Sequence, residues 1–146
     1  MLLIYWGVCI PVFADNTGMS PALADRFAAQ LEQRLTLGPL PATHIPLDIA
    51  ALRQFYHSRS YRPVWDLQTG QHTLMQRWLS ILDNIGHEGL DDLAMHGEEI
   101  RQQTVASVCD DPVRLEVLLT DSFFRYTSIL ARGQLDPLQV SPGWLI

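Results

Sequence analysis

The sequence predicts an all-α fold, an irregular bundle of about five helices around a central helix at residues 112–132. Apolar residues recur there with a helical period and leave only a narrow polar stripe, which is typical of a buried helix. Earlier segments show one apolar face each, and no segment alternates apolar and polar residues as a strand would. With 146 residues, the chain is long enough to form one hydrophobic core.

Residues 1–14 are predicted to be a signal peptide. An apolar run extends from Leu2 to Phe13, and Val12 and Ala14 occupy the small-residue positions at which signal peptidase cleaves. Cleavage after Ala14 would export the chain and leave no transmembrane helix. The segment contains neither Lys nor Arg, so a buried N-terminal helix is the alternative.

Residues 15–44 are predicted to form an N-terminal helix and a proline-rich connector. Ser20 and Pro21 can begin the helix, which carries apolar residues at four-residue steps and ends near Gly38. The prolines that follow favour an extended backbone. Asp48 is then expected to cap a short second helix.

Two further helices are expected before the central one. The third helix places its apolar residues between Leu74 and Ile85 on one face and stops at Gly86. After a turn that contains Gly89, Asp91 or Asp92 can cap a fourth helix over residues 93–108. Gly97 would lie inside this helix, where it costs about 1 kcal/mol relative to Ala.

The central helix has recognisable ends. Asp111 can cap it, Pro112 suits its first position, and Gly133 suits the left-handed residue after its end. Asp121 and Arg125 stand four residues apart, either as a buried pair that organises the bundle or as a surface pair. The wide apolar face consists of Leu115, Leu118, Leu119, Phe123, Tyr126, Ile129 and Leu130.

Aromatic residues are predicted to join the second helix to the central one. Phe55, Tyr61 and Trp65 are expected to form a packed corner after the second helix. If Phe123 and Tyr126 lie on the buried face of the central helix, all five aromatic side chains should share one core.

Few residues indicate a catalytic or ligand-binding role. The net charge of −6, with scattered Lys and Arg, argues against a nucleic-acid partner.

Cys109 precedes Asp110 and Asp111, whose charges would oppose a thiolate and keep the thiol inert. Neither a metal site nor a cofactor is expected, because the histidines lack the spacing that places two ligands on one helical face. These histidines are His44, His57, His72, His87 and His96, and they are interpreted as ordinary polar residues.

Three segments carry a pattern that resembles a known family. The first contains Leu52, Phe55, Tyr56, Arg59, Tyr61, Pro63 and Trp65. The second contains Gly89, Leu90 and Asp91. The third contains Asp121, Phe123, Arg125, Tyr126, Gly133, Asp136, Pro137 and Trp144. In this order they resemble the N-terminal helical scaffold domain of large periplasmic peptidoglycan L,D-transpeptidases, over roughly residues 45–146.

The resemblance implies a periplasmic protein of cell-wall biogenesis. The family's enzymes join two peptidoglycan stem peptides by a 3-3 cross-link, through a cysteine in a Ser-x-Gly-Cys motif of a separate C-terminal domain. Ser107-Val108-Cys109 lacks the glycine, so no catalytic residue is carried over and the chain alone is not expected to be an enzyme.

Two functions are compatible with this resemblance. The first is a non-catalytic scaffold, truncated at its C-terminus or split, with the catalytic domain and possibly peptidoglycan as partners. The alternative is an independent periplasmic helical binding module for cell-wall peptides or a partner protein.

Overall fold

The computed structural model describes residues 20–37, 43–65, 67, 73–105 and 111–132, and these residues contain five α-helices and no β-strand. The helices are α1 (Pro21–Thr36), α2 (Ile49–Ser58), α3 (Thr73–Asn84), α4 (Gly97–Val105) and α5 (Pro112–Arg132). Two short 3-10 helices, Ile85–Glu88 and Leu93–Met95, lie between α3 and α4. The predicted all-α class is confirmed, and so are the bounds of the central helix.

The first half of α5 lies at the centre of the bundle. Between Val113 and Ser122, every residue except Arg114 is buried. α5 contacts α1, α2, α4 and the second 3-10 helix. Beyond Ser122 the helix is only partly covered, since Phe123 is 43% exposed and Leu130 is 62% exposed. The prediction that the apolar face is buried along the whole helix is therefore wrong for its second half.

The apolar core consists of two clusters on different faces of α5. The first cluster contains Trp65, Met75, Trp78, Leu82, Ile85, Met95, Ile100, Leu115, Leu118 and Leu119. The second cluster contains Phe27, Leu31, Leu35, Leu52, Tyr56, Val113 and Val117. Leu47 and Val64 pack against both clusters.

The aromatic residues that were expected to share one core are divided between these clusters. Trp65 belongs to the first cluster and Tyr126 packs against it, whereas Phe55 and Tyr61 pack against the second. Phe123 belongs to neither and contacts Trp78 at the edge of the first. The prediction of a single aromatic core is wrong because α5 separates the two faces on which these side chains pack.

Three of the predicted caps are present. At the start of the second 3-10 helix, the Asp91 carboxylate accepts a hydrogen bond from the Leu93 amide at 3.0 Å. The Asp48 carboxylate accepts a hydrogen bond from the Ala51 amide at 3.0 Å, and the Asp111 carboxylate accepts one from the Arg114 amide at 3.0 Å. α1 begins after Ser20 with a proline at its start, but the Ser20 side chain makes no capping hydrogen bond.

The end of the third helix differs from its prediction. The α-helix ends at Asn84, and the helical backbone then continues past Gly86 as the 3-10 helix Ile85–Glu88. Gly89 then ends it with a left-handed φ of 75°, a conformation that glycine adopts without the steric cost of a Cβ atom.

The predicted helix over residues 93–108 is divided into two elements. His96, with a left-handed φ of 56°, separates the second 3-10 helix from α4. Gly97 therefore begins α4 instead of lying in a helix interior. A Cβ atom at Gly97 would overlap the Asp92 carboxylate, which accepts two hydrogen bonds from Arg101 at 2.7 and 3.1 Å. The glycine is needed for this close approach.

Several predictions concern residues outside the described ranges. These are the signal peptide at residues 1–14, Cys109, Gly133, Asp136, Pro137 and Trp144. In the described ranges, no helix has both the length and the apolar character that a bilayer-spanning segment requires.

Candidate functional site

Polar side chains are buried in the middle of α5 and receive hydrogen bonds from distant parts of the chain. Glu116 and Asp121 are fully buried, and Thr120 is 3% exposed. Charged side chains are seldom buried unless they are paired or hydrogen-bonded. Two groups form here. We call Glu116, Thr120, Tyr56 and Trp65 the Glu116 cluster, and Asp121, Arg125, His96 and Glu99 the Asp121 cluster.

Glu116 joins three segments through one carboxylate. Its Oε1 accepts hydrogen bonds from the Tyr56 hydroxyl at 2.9 Å and from the Val64 amide at 2.6 Å. Its Oε2 accepts from the Trp65 amide at 3.3 Å. The carboxylate therefore fastens α2 and the segment that follows it to α5.

Thr120 completes the Glu116 cluster one helical turn later. Its Oγ1 accepts a hydrogen bond from the Trp65 indole N–H at 2.9 Å and lies 2.6 Å from the Tyr56 hydroxyl oxygen. The Thr120 hydroxyl is also 2.9 Å from the Glu116 carbonyl oxygen, to which it can donate. Trp65 is thus held to α5 by both its backbone amide and its indole ring.

Burial shifts the protonation equilibria of the Glu116 cluster. Burial raises the pKa of Glu116 to about 7, although the hydrogen bonds from Val64, Tyr56 and Trp65 favour the ionised form. Burial and the neighbouring Glu116 charge also raise the pKa of Tyr56 well above its ordinary value. Shifted carboxyl groups are frequent in active sites. Here both side chains have no exposed surface, so neither can touch a substrate in this conformation.

The segment between α2 and Trp65 forms a tight corner. Ser60 and Tyr61 have left-handed φ values of 54° and 56°, which are unfavourable for residues with side chains. The Tyr61 amide donates to the Tyr56 carbonyl oxygen at 2.8 Å, and the Arg59 guanidinium lies 5.4 Å from the centre of the Phe55 ring. The hydrogen bonds to Glu116 hold this corner against the bundle.

Asp121 organises the second cluster. Its Oδ2 lies 2.8 Å from His96 Nε2 and accepts a hydrogen bond from Arg125 Nε at 2.6 Å, while its Oδ1 accepts from the Asp48 amide at 2.9 Å. Burial alone would raise the pKa of Asp121, but these hydrogen bonds outweigh it and lower the pKa. The predicted Asp121–Arg125 pair is therefore present. Its carboxylate is fully buried, and the Arg125 side chain is 26% exposed.

The Asp121 cluster also binds the connector before α2. Glu99 Oε1 accepts a hydrogen bond from the His44 amide at 2.7 Å, and Arg125 donates one to the Pro46 carbonyl oxygen. The other Glu99 carboxylate oxygen lies 3.4 Å from His96 Nδ1. Residues 43–48 are consequently fixed to both α4 and α5.

The other described residues of the family pattern pack against neighbouring apolar or aromatic side chains. Leu52 is fully buried in the second apolar cluster, Pro63 is buried, and Leu90 packs against the first cluster. The rings of Phe123 and Tyr126 make edge-on contacts with Trp78, with centroids 5.4 and 5.3 Å apart. The Tyr126 hydroxyl donates to Glu88 at 3.2 Å.

The sequence pattern does not predict a role for Glu116 or Thr120, and it favours an ordinary polar role for His96. The available signal was a single carboxylate among the apolar positions 115–119 of a helix that was itself predicted to be buried. His96 gave no such signal, because its burial follows from the helix break at that residue. His96 is fully buried and bonded to Asp121, which corrects its interpretation.

Among the described residues, two open grooves border α5. One, of about 310 Å³, reaches Asp121 and Arg125, and the other, of about 570 Å³, lies along Phe55 and Phe124 between α2 and α5. The Asp121 and Arg125 side chains in the first groove are already bonded to each other. Within the described ranges, no group of three or more His, Cys, Asp or Glu side chains is arranged to hold a metal ion. The arrangement is thus suited to holding segments together.

Comparison with protein families gives one result. A family model described as "Scaffold domain" matches residues 50–146, about two thirds of the chain. The match includes all four members of the Glu116 cluster and all four of the Asp121 cluster. No curated protein and no solved structure matches the chain.

Proposed function

Because the chain belongs to the Scaffold domain family, we propose that it is the non-catalytic scaffold portion of a peptidoglycan L,D-transpeptidase. One observation carries the proposal. The side chains of Tyr56, Trp65 and Asp121 form hydrogen bonds with residues that are distant in the sequence. These side chains lie in the interior and have almost no exposed surface. Their chemistry is used to hold the fold together.

A scaffold must present a surface of fixed shape to the domain that it supports, and networks of buried hydrogen bonds provide such rigidity. The Glu116 cluster fixes α2 and the corner to α5 across 51 to 60 residues of sequence. The Asp121 cluster fixes the connector and His96 to the same helix. Both clusters therefore hold distant segments at defined positions around one central helix.

The partner of this scaffold would be the L,D-transpeptidase catalytic domain, which contributes the cysteine for 3-3 cross-linking, with peptidoglycan as the substrate of the assembly. The corresponding location is the periplasm. Export through residues 1–14 predicts a mature chain that begins at Asp15. N-terminal sequencing of the protein from a periplasmic extract should return Asp15 first, whereas an intact Met1 in the cytoplasm would contradict export.

Reconstitution tests the proposal. The purified chain is mixed with a separately produced L,D-transpeptidase catalytic domain, and complex formation is measured by sedimentation while mass spectrometry counts 3-3 cross-linked muropeptides. We expect a complex that forms cross-links, and no cross-links from the chain alone. Asp121→Asn, which replaces the charged acceptor of the Asp121 cluster with a neutral amide, should abolish the complex, and Asp25→Asn on the exposed surface of α1 should preserve it.

Other outcomes would contradict the proposal. If the chain alone bound stem peptides and formed no complex with the catalytic domain, an independent binding module would be the better explanation. Cys109→Ser should leave complex formation and cross-linking unchanged. A carbapenem adduct on Cys109 that the Ser variant lacks would show that the chain itself carries a reactive thiol.

A further inference from the structure

An apolar surface lies along the second half of α5 and the adjoining face of α3. Trp78 of α3 contacts Phe123 and Tyr126 of α5 there, with ring centroids 5.4 and 5.3 Å apart. Four apolar side chains at this seam are partly exposed, and we call them the α3–α5 patch. They are Leu74 (45% exposed), Ile81 (38%), Phe123 (43%) and Leu130 (62%).

Helical spacing places the members of the patch next to the seam. On α3, Leu74 and Ile81 lie one turn to either side of Trp78. On α5, Leu130 lies one turn beyond Tyr126. Covering apolar side chains that lie together is favourable, and such a patch on a folded domain is typical of a contact surface.

We propose that residues 133–146 return along α5 and cover the α3–α5 patch with their apolar side chains. This contact goes beyond the proposed scaffold function and does not depend on it. The segment begins directly after Arg132, the last residue of α5, and therefore starts close to Leu130 at one end of the patch.

The composition of residues 133–146 suits an apolar surface. Asp136 is its one charged side chain. Six of its fourteen residues are apolar, namely Leu135, Leu138, Val140, Trp144, Leu145 and Ile146. Burying most of this segment would therefore remove little charge from water.

The segment is also long enough to reach the whole patch. The helix rises about 1.5 Å per residue, so the return path from Arg132 to Phe123 requires about 14 Å. An extended chain covers about 3.3 Å per residue, so residues 133–144 can span about 40 Å. Trp144 can therefore reach the far end of the patch even if the chain takes an indirect path.

Other pairings fit less well. The groove between α2 and α5 is lined largely by polar side chains, which are Gln54, Ser58, Thr127, Ser128 and Arg132. A second copy of the chain would need roughly 800 Å² per partner for a stable interface, and four partly exposed side chains supply far less. The adjoining segment needs no such area, because its covalent connection to α5 gives it a high effective concentration at the patch.

Hydroxyl-radical footprinting with mass spectrometry measures side-chain exposure in the full chain. The oxidation rates of Phe123 and Leu130 are divided by that of Leu37, which is 86% exposed at the end of α1. In the variant Trp144→Ser/Leu145→Ser/Ile146→Ser, we expect these relative rates to rise at least about twofold above the wild type, because the covering side chains are removed.

A matched control changes polar residues of the same segment. Gln134→Ser/Gln139→Ser should keep the wild-type rates, and circular dichroism should show the same helix content in both variants. Unchanged rates at Phe123 and Leu130 in the apolar variant would overturn the proposal. A rise at Phe55 and Phe124 alone would also overturn it, because the segment would then occupy the groove between α2 and α5.

Two further measurements use the wild-type chain alone. Protection of Phe123 and Leu130 should persist when the protein is diluted about tenfold, whereas protection lost on dilution would identify a second copy as the occupant and overturn the proposal. Nuclear Overhauser effects should connect the Trp144 indole with the Leu130 methyl groups or the Phe123 ring. A solvent-exposed Trp144 indole without these effects would contradict the contact.

Discussion

The imidazole Nε2 of His96 and the Oδ2 of Asp121 lie 2.8 Å apart, and both side chains are fully buried. His96 reaches this position because its left-handed backbone interrupts the helical segment just before α4. Asp121 also accepts from Arg125 and from the Asp48 amide, so its buried charge has three partners. Removing this charge leaves His96 and Arg125 without their charged acceptor.

Asp121→Asn should lower the free energy of unfolding by about 3 to 5 kcal/mol, because it leaves Arg125 and buried His96 without their charged acceptor. Urea denaturation followed by circular dichroism measures the change. Asp25→Asn makes the same substitution at an exposed position of α1 and should stay within about 0.5 kcal/mol of the wild type. Equal midpoints for the two variants would show that the Asp121 cluster is not stabilising.

The same carboxylate predicts a contribution to acid unfolding. The hydrogen bonds from His96 and Arg125 hold the pKa of Asp121 below its ordinary value of 3.8 despite burial. A carboxyl with a lowered folded-state pKa stabilises the fold above its ordinary pKa, and this stability is lost as the pH falls through the lowered value. Stability measured from pH 5 to 2 should therefore fall less steeply in Asp121→Asn than in the wild type, and identical slopes would argue against the assignment.

Tyr56→Phe should destabilise the fold by about 1 to 3 kcal/mol, since it removes a buried hydroxyl bonded to Glu116 and adjacent to Thr120. Tyr61→Phe is the matched control, because Tyr61 is only partly buried and lies outside the Glu116 cluster, with its ring against His57. Thermal melts of both variants distinguish them. A Tyr61→Phe effect as large as that of Tyr56→Phe would indicate a general response to losing a tyrosine hydroxyl.

Truncation of aromatic residues should follow their burial. Trp65→Ala should cost about 3 to 5 kcal/mol, because Trp65 is only 4% exposed and its indole is bonded to Thr120. Phe123→Ala should cost about 1 kcal/mol, since Phe123 is 43% exposed. Arg132→Ala, at the exposed end of α5, should shift stability by no more than about 0.5 kcal/mol. Urea midpoints in any other order would conflict with the observed burial.

Gly97→Ala should destabilise the protein by about 1 to 2 kcal/mol, because the added methyl group must displace the Asp92 carboxylate and disturb its pairing with Arg101. Gly86→Ala introduces the same methyl group where nothing lies within 4 Å and should have little effect. Asp92→Ala in the Gly97→Ala background removes the overlapping carboxylate. The double variant should then be more stable than the sum of the two single changes predicts, and strict additivity would exclude the proposed overlap.

Much of the fold follows from local sequence patterns. Helical periodicity with Asp111 and Pro112 defined the start of the central helix, and Asp48 marked the start of α2, because caps and periodicity depend only on near neighbours. The fourth helix was placed less well. Its interruption at His96 is accompanied by the contact of that side chain with Asp121, which lies 25 residues away in the sequence and so beyond the reach of local patterns.

Sequence alone determined that this chain is helical, where its central helix begins and ends, and that Asp121 and Arg125 can pair, since each of these follows from residue types and spacing along one element. Only the tertiary structure decided that Glu116 is a buried hub and that Trp65 and Tyr61 pack on different faces of α5. It also decided that Phe123 is partly exposed. The physical reason is that periodicity specifies which residues share a helical face, whereas the neighbours available to that face, and the donors that let a carboxylate remain buried, come from distant parts of the chain.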